Sequence, residues 1–163
     1  MRILQIGLLV INLAACGSAL NSTALAREAA LDFNVALRFG RTEVAAERVV
    51  PAERAQFLKT HHRWGRTIQI ADWDLIDIKF LPGDKAEVTV QIGWHRVGES
   101  DMRSSLIKQS WRANGTTWQF VREACTEGDA TLLDAEDPPQ SDVETRRAKV
   151  VQFPTKRLGA TQH

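Results

Sequence analysis

The feature that most restricts the fold of this chain is a change of hydrophobic periodicity near residue 66. Before that point, apolar residues recur at spacings of three and four, which is typical of helices. After it, apolar and polar residues alternate, which is typical of strands that bury one face. Helices followed by consecutive strands predict an α+β fold, in which N-terminal helices pack on one face of a curved antiparallel sheet of about four strands.

The segment 22–40 predicts one long helix, which Ser22 or Thr23 can cap and Gly40 can end. Its apolar stripe is formed by residues at helical spacing, namely Leu25, Ala29, Phe33, Ala36 and Leu37. Such a stripe indicates a helix that buries one face against the sheet.

Residues 41–65 predict two short helices, separated at Pro51, which suits the first position of the second helix. In that second helix, Ala55, Leu58 and His62 share one face. We therefore expect His62 to point toward the apolar interior.

Turn signals at residues 82–84, 98–101 and 114–115 divide the alternating part into four strands. The last signal is an Asn-Gly pair, which strongly indicates a two-residue hairpin loop. With that loop, Trp111 faces Trp118 across the last two strands. We expect this tryptophan pair to fix the register of the hairpin.

Asp72 and Asp74 form a carboxylate pair in the first predicted strand. In a regular strand they share the face of Ile70, where burial would raise their pKa values and make one of them a candidate general base. In that regular strand, Trp73 would lie on the opposite, solvent-facing side. A β-bulge near residue 75 would turn the aspartates to solvent and the tryptophan inward, and the sequence favours this alternative.

The first 15 residues are typical of a bacterial export signal. Met1-Arg2 supplies positive charge and a short apolar run follows. That run is shorter than the stretch of about 20 apolar residues that crosses a bilayer. We expect residues 1–15 to be a signal peptide that is removed; a buried core helix is the alternative.

The end of this segment, Leu13-Ala14-Ala15-Cys16, resembles the lipobox of bacterial lipoproteins. The resemblance implies a diacylglycerol thioether on Cys16, cleavage before it and acylation of the new amino group. Gly17 stands where an inner-membrane retention signal would have Asp, which favours the outer membrane in a host that has one. Residues 16–23 would then be the lipidated cysteine and a short tether. Cleavage after Ala19, giving a soluble secreted protein, is the alternative.

Composition excludes several classes of function. The formal net charge of +1 gives no electrostatic basis for binding nucleic acid. The sequence has no phosphate-binding glycine loop and no Cys/His spacing of a metal site, so it predicts neither a cofactor nor a metal. Two cysteines are too few for a disulfide framework, and Cys125 is expected to be a buried, inert thiol.

Residues 126–163 change in character, with a proline pair, an acidic stretch and then basic residues. We expect a flexible or loosely docked tail. Within it, residues 148–153 could form a last strand or an anchor onto the domain. The basic side chains of this tail could contact anionic headgroups, with plain solvation as the alternative.

The hairpin sequence KQSWRANGTTWQFV, the helix end at 33–40 and the bridge at 64–80 resemble the nuclear transport factor 2-like superfamily. The resemblance spans residues 24–125 and implies a cone-shaped domain with a pocket between helices and sheet. Enzymes of that superfamily place Asp or His in the pocket, often beside Tyr. This chain has no Tyr, so the isomerase pattern does not transfer.

The pocket that this resemblance implies would be lined by His62 and Trp94. Its candidate catalytic residues would be His62, Asp72 and Asp74.

Three functions follow from these expectations. The first is an envelope lipoprotein, held at the membrane through Cys16, whose cone domain binds a small ligand or an envelope protein without catalysis. The second is a small-molecule isomerase, dehydratase or cyclase with a buried Asp or His. The third is a component of an envelope secretion or transfer apparatus. A closed pocket lined by His62, Asp72 or Asp74 would favour the second.

Overall fold

The computed structural model describes residues 15–136, with side chains from residue 22 onward. The helical elements are α1 (Ala15–Arg38), α2 (Thr42–Ala46), a 3-10 helix (Pro51–Glu53) and α3 (Arg54–His61). The strands are β1 (Ile68–Leu81), β2 (Lys85–Arg96), β3 (Arg103–Asn114) and β4 (Thr117–Gly128). The strands form one antiparallel sheet in the order β1-β2-β3-β4, with the helices preceding them. The predicted α+β class is therefore confirmed.

The predicted apolar stripe of α1 lies in the core, with Leu25 half-buried and the other four members buried. Ala26 is the first buried side chain between residues 22 and 136. The helix itself begins at Ala15, earlier than the expected cap, so residues 16–23 are helical where an extended tether was expected. Leu13 and Ala14 of the lipobox lie outside the described residues.

The C-terminal end of α1 is fixed against the turn that follows α3. Gly40 ends the helix with a φ of 65°, and the amide of Arg41 donates to the carbonyl of Ala36 at 2.9 Å. Gly65 has a φ of 76°, and a Cβ atom on Gly40 would lie 2.7 Å from its Cα. Only glycine fits both positions, because any side chain would collide with backbone.

The loop of the β3–β4 hairpin lies one residue later than predicted, so each β3 residue at the hairpin pairs two residues further along β4 than expected. Asn114 pairs with Thr117, so the loop is residues 115–116 and Trp111 faces Phe120. The expected pairing of Trp111 with Trp118 is therefore wrong. Gly115 has a φ of 63°, at the first loop position, where a type II′ turn requires a positive value.

The chain stays folded beyond β4, so the expectation of a tail from residue 126 is wrong for residues 126–136. A 3-10 helix, Ala130–Leu133, buries Leu132 completely. The buried Arg63 side chain donates to the carbonyl oxygens of Asp134 and Glu136 at 3.1 and 2.9 Å. Residues 137–163 lie outside the described part.

Candidate functional site

His62, the predicted histidine of the pocket, is exposed, and its Nδ1 lies 2.8 Å from the carbonyl oxygen of Lys59. The expected face of α3 is wrong, because the helix buries Phe57 and His61 instead. These two residues are four apart on one face of the helix. Phe57 contacts Phe33 of α1 and Phe120 of β4, and these contacts orient the short helix.

Asp72 and Asp74 are exposed on the outer face of the sheet. The register shifts between Ile70 and Asp72 and again between Leu75 and Asp77, so β1 carries two irregularities. The favoured alternative, with the aspartates outward and a bulge near residue 75, is confirmed, although it is the additional shift before Asp72 that turns the aspartates to solvent. A solvent-exposed carboxylate pair lacks the closed pocket that the general-base interpretation requires.

Trp94, the other residue predicted to line a pocket, is fully buried in the core. Its indole nitrogen donates to Ser105 Oγ at 3.0 Å. The guanidinium groups of Arg96 and Arg103 lie 6.0 and 5.2 Å from its ring centre. Trp94 is therefore a core residue at one end of the sheet, and it does not line a pocket together with the exposed His62.

A polar cluster lies inside the domain, around Gln109 of β3. Gln109 pairs with Val88 of β2 on one side and with Glu123 of β4 on the other. Gln109 is fully buried and exchanges two hydrogen bonds with Asn34 of α1, at 3.2 and 3.0 Å. The amide of Asn34 also donates to the carbonyl of Ala30. These two amides join α1 to β3.

The second half of this cluster is an ionisable pair. His61 Nε2 lies 2.7 Å from Glu123 Oε1, with side-chain exposures of 1% and 6%. His61 Nδ1 lies 2.9 Å from the carbonyl oxygen of Phe57, and Glu123 Oε2 has no hydrogen-bond partner in the structure. The sequence analysis missed this pair; the spacing of Phe57 and His61 on one helical face was the signal that could have found it.

An open groove of about 490 Å³ lies between α1 and α2. Its apolar lining includes Val35 and Val44, whose side chains stay 36% and 50% exposed. An ion pair at 2.7 Å between Arg48 and Asp32 lies in the same lining. The groove can therefore offer apolar contact and charge to a partner, but it contains none of the predicted catalytic residues.

Phe39 adds a large exposed apolar side chain next to this groove, with 66% of its surface accessible. The guanidinium carbon of Arg41, a residue of the groove lining, lies 5.7 Å from the Phe39 ring centre. Aromatic and arginine side chains in contact are frequent at protein interfaces.

Cys125 is half-buried, packs against the core and donates from Sγ to the carbonyl oxygen of Glu127 at 3.2 Å. The expectation of a fully buried thiol is thus only partly correct. Between residues 22 and 136, no three His, Cys, Asp or Glu side chains are grouped to hold a metal ion. No helix in the described part of the chain has the length and apolar character needed to cross a membrane.

The fold defines the class of protein: an α+β domain with helices on one face of a four-stranded antiparallel sheet. No protein-family model matches the chain, and no curated protein matches it. A SEC-C motif containing protein from Rhodopseudomonas palustris, known from its solution structure, is similar with a TM-score of 0.50 and 15% sequence identity. The similarity covers 58% of this chain and 73% of that protein, and at this identity it shows the fold alone.

Proposed function

We propose that this protein is a bacterial envelope lipoprotein, anchored through Cys16, whose α+β domain is a binding module. The observation that carries the anchor is the lipobox-like Leu13-Ala14-Ala15-Cys16 at the end of an apolar run. Among the residues whose side chains the structure describes, from 22 to 136, the first buried one is Ala26, downstream of the cleavage point. Several acyl chains hold a protein at a membrane far more firmly than one.

The proposal of a binding module rests on the groove between α1 and α2. Exposed apolar side chains, Val35, Val44 and Phe39, lie there next to charged ones. Interfaces combine such apolar contact with a polar rim. The enzyme alternative requires a buried Asp or His, and its candidate residues His62, Asp72 and Asp74 are all exposed to solvent.

We further propose that the domain belongs to the nuclear transport factor 2-like superfamily. The order of helices followed by four consecutive strands supports this assignment.

The anchor is tested with Cys16→Ser in the native host, with Cys125→Ser as the matched control. We expect Cys16→Ser to abolish labelling by an alkyne fatty acid and to release the protein from the membrane fraction, whereas Cys125→Ser leaves both unchanged. Mass spectrometry of the mature amino terminus should show acylated Cys16. An unmodified terminus after Ala19 would establish soluble secretion instead.

The binding site is tested by photo-crosslinking in cells that carry the full-length protein. A benzophenone amino acid replaces Val44 in the groove or, as the control, Val97, which is exposed outside it. We expect a discrete adduct from position 44 and none from position 97. Equal labelling from both positions would contradict a binding site in the groove.

A further inference from the structure

Helix α3 is attached to the domain through few side chains. Phe57 and His61 are its buried residues, and the other six positions from Arg54 to Thr60 are exposed or half-exposed. The Phe57 ring packs against Phe33 and Phe120, with ring centres 5.6 and 5.5 Å apart. The His61 ring packs on Phe57 at 4.2 Å. The buried part of the attachment therefore combines the aromatic contacts of Phe57 with one ionisable contact, His61 to Glu123. At the start of the helix, Arg54 adds hydrogen bonds to the carbonyl oxygens of Ala46 and Val49, at 3.0 and 3.5 Å.

The geometry of His61 fixes how many protons this contact holds. A carbonyl oxygen only accepts, so Nδ1, which lies 2.9 Å from the Phe57 carbonyl, carries a proton. Nε2 and Glu123 Oε1 are 2.7 Å apart in an ion-pair contact that is not aligned as a hydrogen bond. Two unprotonated atoms at this distance would repel each other, so the pair holds one proton. Whether that proton lies on nitrogen or on oxygen, the pair as a whole is neutral.

A second proton would leave the pair with a buried positive charge, and removal of the shared proton would leave a buried carboxylate facing a nitrogen lone pair. Both states are costly, because a buried charge without a partner loses its hydration and gains nothing in return. Glu123 Oε2, which has no hydrogen-bond partner in the structure, leaves the carboxylate with less support than a fully bonded one.

The surroundings of the pair offer little compensation for such a charge. Strand β3 presents Gln109 and α1 presents Asn34, which do not titrate. The next inward position of β4 is the Cys125 thiol. Two residues beyond His61, the Arg63 guanidinium donates to carbonyl oxygens of the C-terminal segment.

We propose that α3 is a proton-dependent latch, which is closed while the His61–Glu123 pair holds one shared proton and loosens when the pair gains or loses one. Loosening of α3 uncovers the aromatic interior around Phe33 and Phe120. The latch is thus closed at intermediate pH and opens at lower and at higher pH. It is independent of the lipid anchor and of the groove between α1 and α2.

The test is amide hydrogen exchange of the full-length chain from about pH 4 to about pH 9, the range in which free Glu and His side chains titrate. Protection factors, corrected for the intrinsic exchange rate, are compared between α3 and the central strand β2. We expect protection of residues 54–61 to peak at an intermediate pH and to fall about tenfold or more on either side, while β2 changes less.

The double variant His61→Gln/Glu123→Gln keeps side chains that can hydrogen-bond but cannot titrate, so it should give a flat profile for α3. The matched control is His62→Gln, which removes an exposed histidine one residue away and should keep the wild-type profile. A wild-type α3 profile that is flat, or a double variant that keeps the peak, would overturn the latch.

A second measurement uses only the wild-type chain, so it does not depend on whether the variants fold. In ¹⁵N-histidine spectra of the wild-type chain, we expect His61 to keep its Nδ1 proton throughout and to change state together with the loss of α3 protection. A change of state of the His61 ring that leaves α3 protection unchanged would also overturn the proposal.

Discussion

Asn34 of α1 and Gln109 of β3 exchange two hydrogen bonds across the helix–sheet interface, at 3.2 and 3.0 Å. Both side chains are buried, so each amide depends on the other in place of water. A reciprocal amide pair of this kind sets the register of the helix on the sheet, because sliding by one residue would leave both amides without partners.

Removal of one partner should therefore cost more than removal of both. We expect Asn34→Leu to lower the free energy of unfolding by about 1–3 kcal/mol, because it leaves the Gln109 amide buried and unsatisfied. In the double variant Asn34→Leu/Gln109→Leu, the loss should be smaller than in either single variant. Urea unfolding of all four proteins measures the coupling. Additive losses would mean that the two bonds contribute nothing to stability.

Gly40→Ala should be destabilising for two separable reasons. Its φ of 65° is strained for any residue with a Cβ, and that Cβ would lie 2.7 Å from Gly65 Cα. Gly115 is the matched control, since its φ is 63° but nothing lies within 4 Å of a Cβ there. Backbone strain alone costs about 1–2 kcal/mol. We expect Gly40→Ala to lower the free energy of unfolding, measured with denaturant, by about 1–3 kcal/mol more than Gly115→Ala does. Equal losses would rule out the collision.

The corrected register of the hairpin predicts which aromatic side chains are coupled. Trp111 contacts Phe120 edge to face, with ring centres 5.8 Å apart, while Trp118 contacts Phe80 at the same distance. In double-mutant cycles with leucine, we expect Trp111 and Phe120 to couple by about 0.5–1.5 kcal/mol. Coupling of Trp111 with Trp118 should be smaller. The reverse ranking would restore the pairing expected from the sequence.

The sheet and its outward aspartates could be predicted because alternation reports directly on which side of a strand is buried. In β1, Trp73 at a parity opposite to Ile70 already implied an irregular strand. The register of the hairpin could not be derived in the same way. An Asn-Gly pair permits more than one placement of a two-residue loop, and the strands choose between them through their own packing.

The buried His61–Glu123 pair could not be predicted from local sequence patterns. Within α3, Ala55 and Leu58 suggested a buried face that includes His62, but a helix of eight residues has too few apolar side chains to orient itself. Its orientation comes from partners distant in the sequence, Phe120 and above all Glu123. The same holds for residues 126–136, which look like a polar tail until the buried Leu132 and the carbonyl contacts of Arg63 are known.

Asp129 predicts a loss of stability in acid. Burial alone would raise the pKa of its carboxyl group, but hydrogen bonds from the hydroxyl and amide of Thr131, at 2.7 and 2.9 Å, and the nearby Arg103 together lower it. Because the folded state has the lower pKa, the carboxylate stabilises the fold above the unfolded-state pKa. This contribution is lost as the pH falls through the folded-state value.

At neutral pH, we expect Asp129→Ala to lower the free energy of unfolding by about 1 kcal/mol, as for the loss of a helix cap. The difference from wild type should shrink as the pH falls below about 3.9, the ordinary pKa of an Asp side chain, toward the lower folded-state pKa of Asp129. Asp101→Ala is the control, because it removes an exposed aspartate from the loop before β3 and should cost little at any pH. Urea unfolding at several pH values measures both. A cost of Asp129→Ala that stays constant into acid would mean that its carboxylate charge contributes nothing to holding the C-terminal segment.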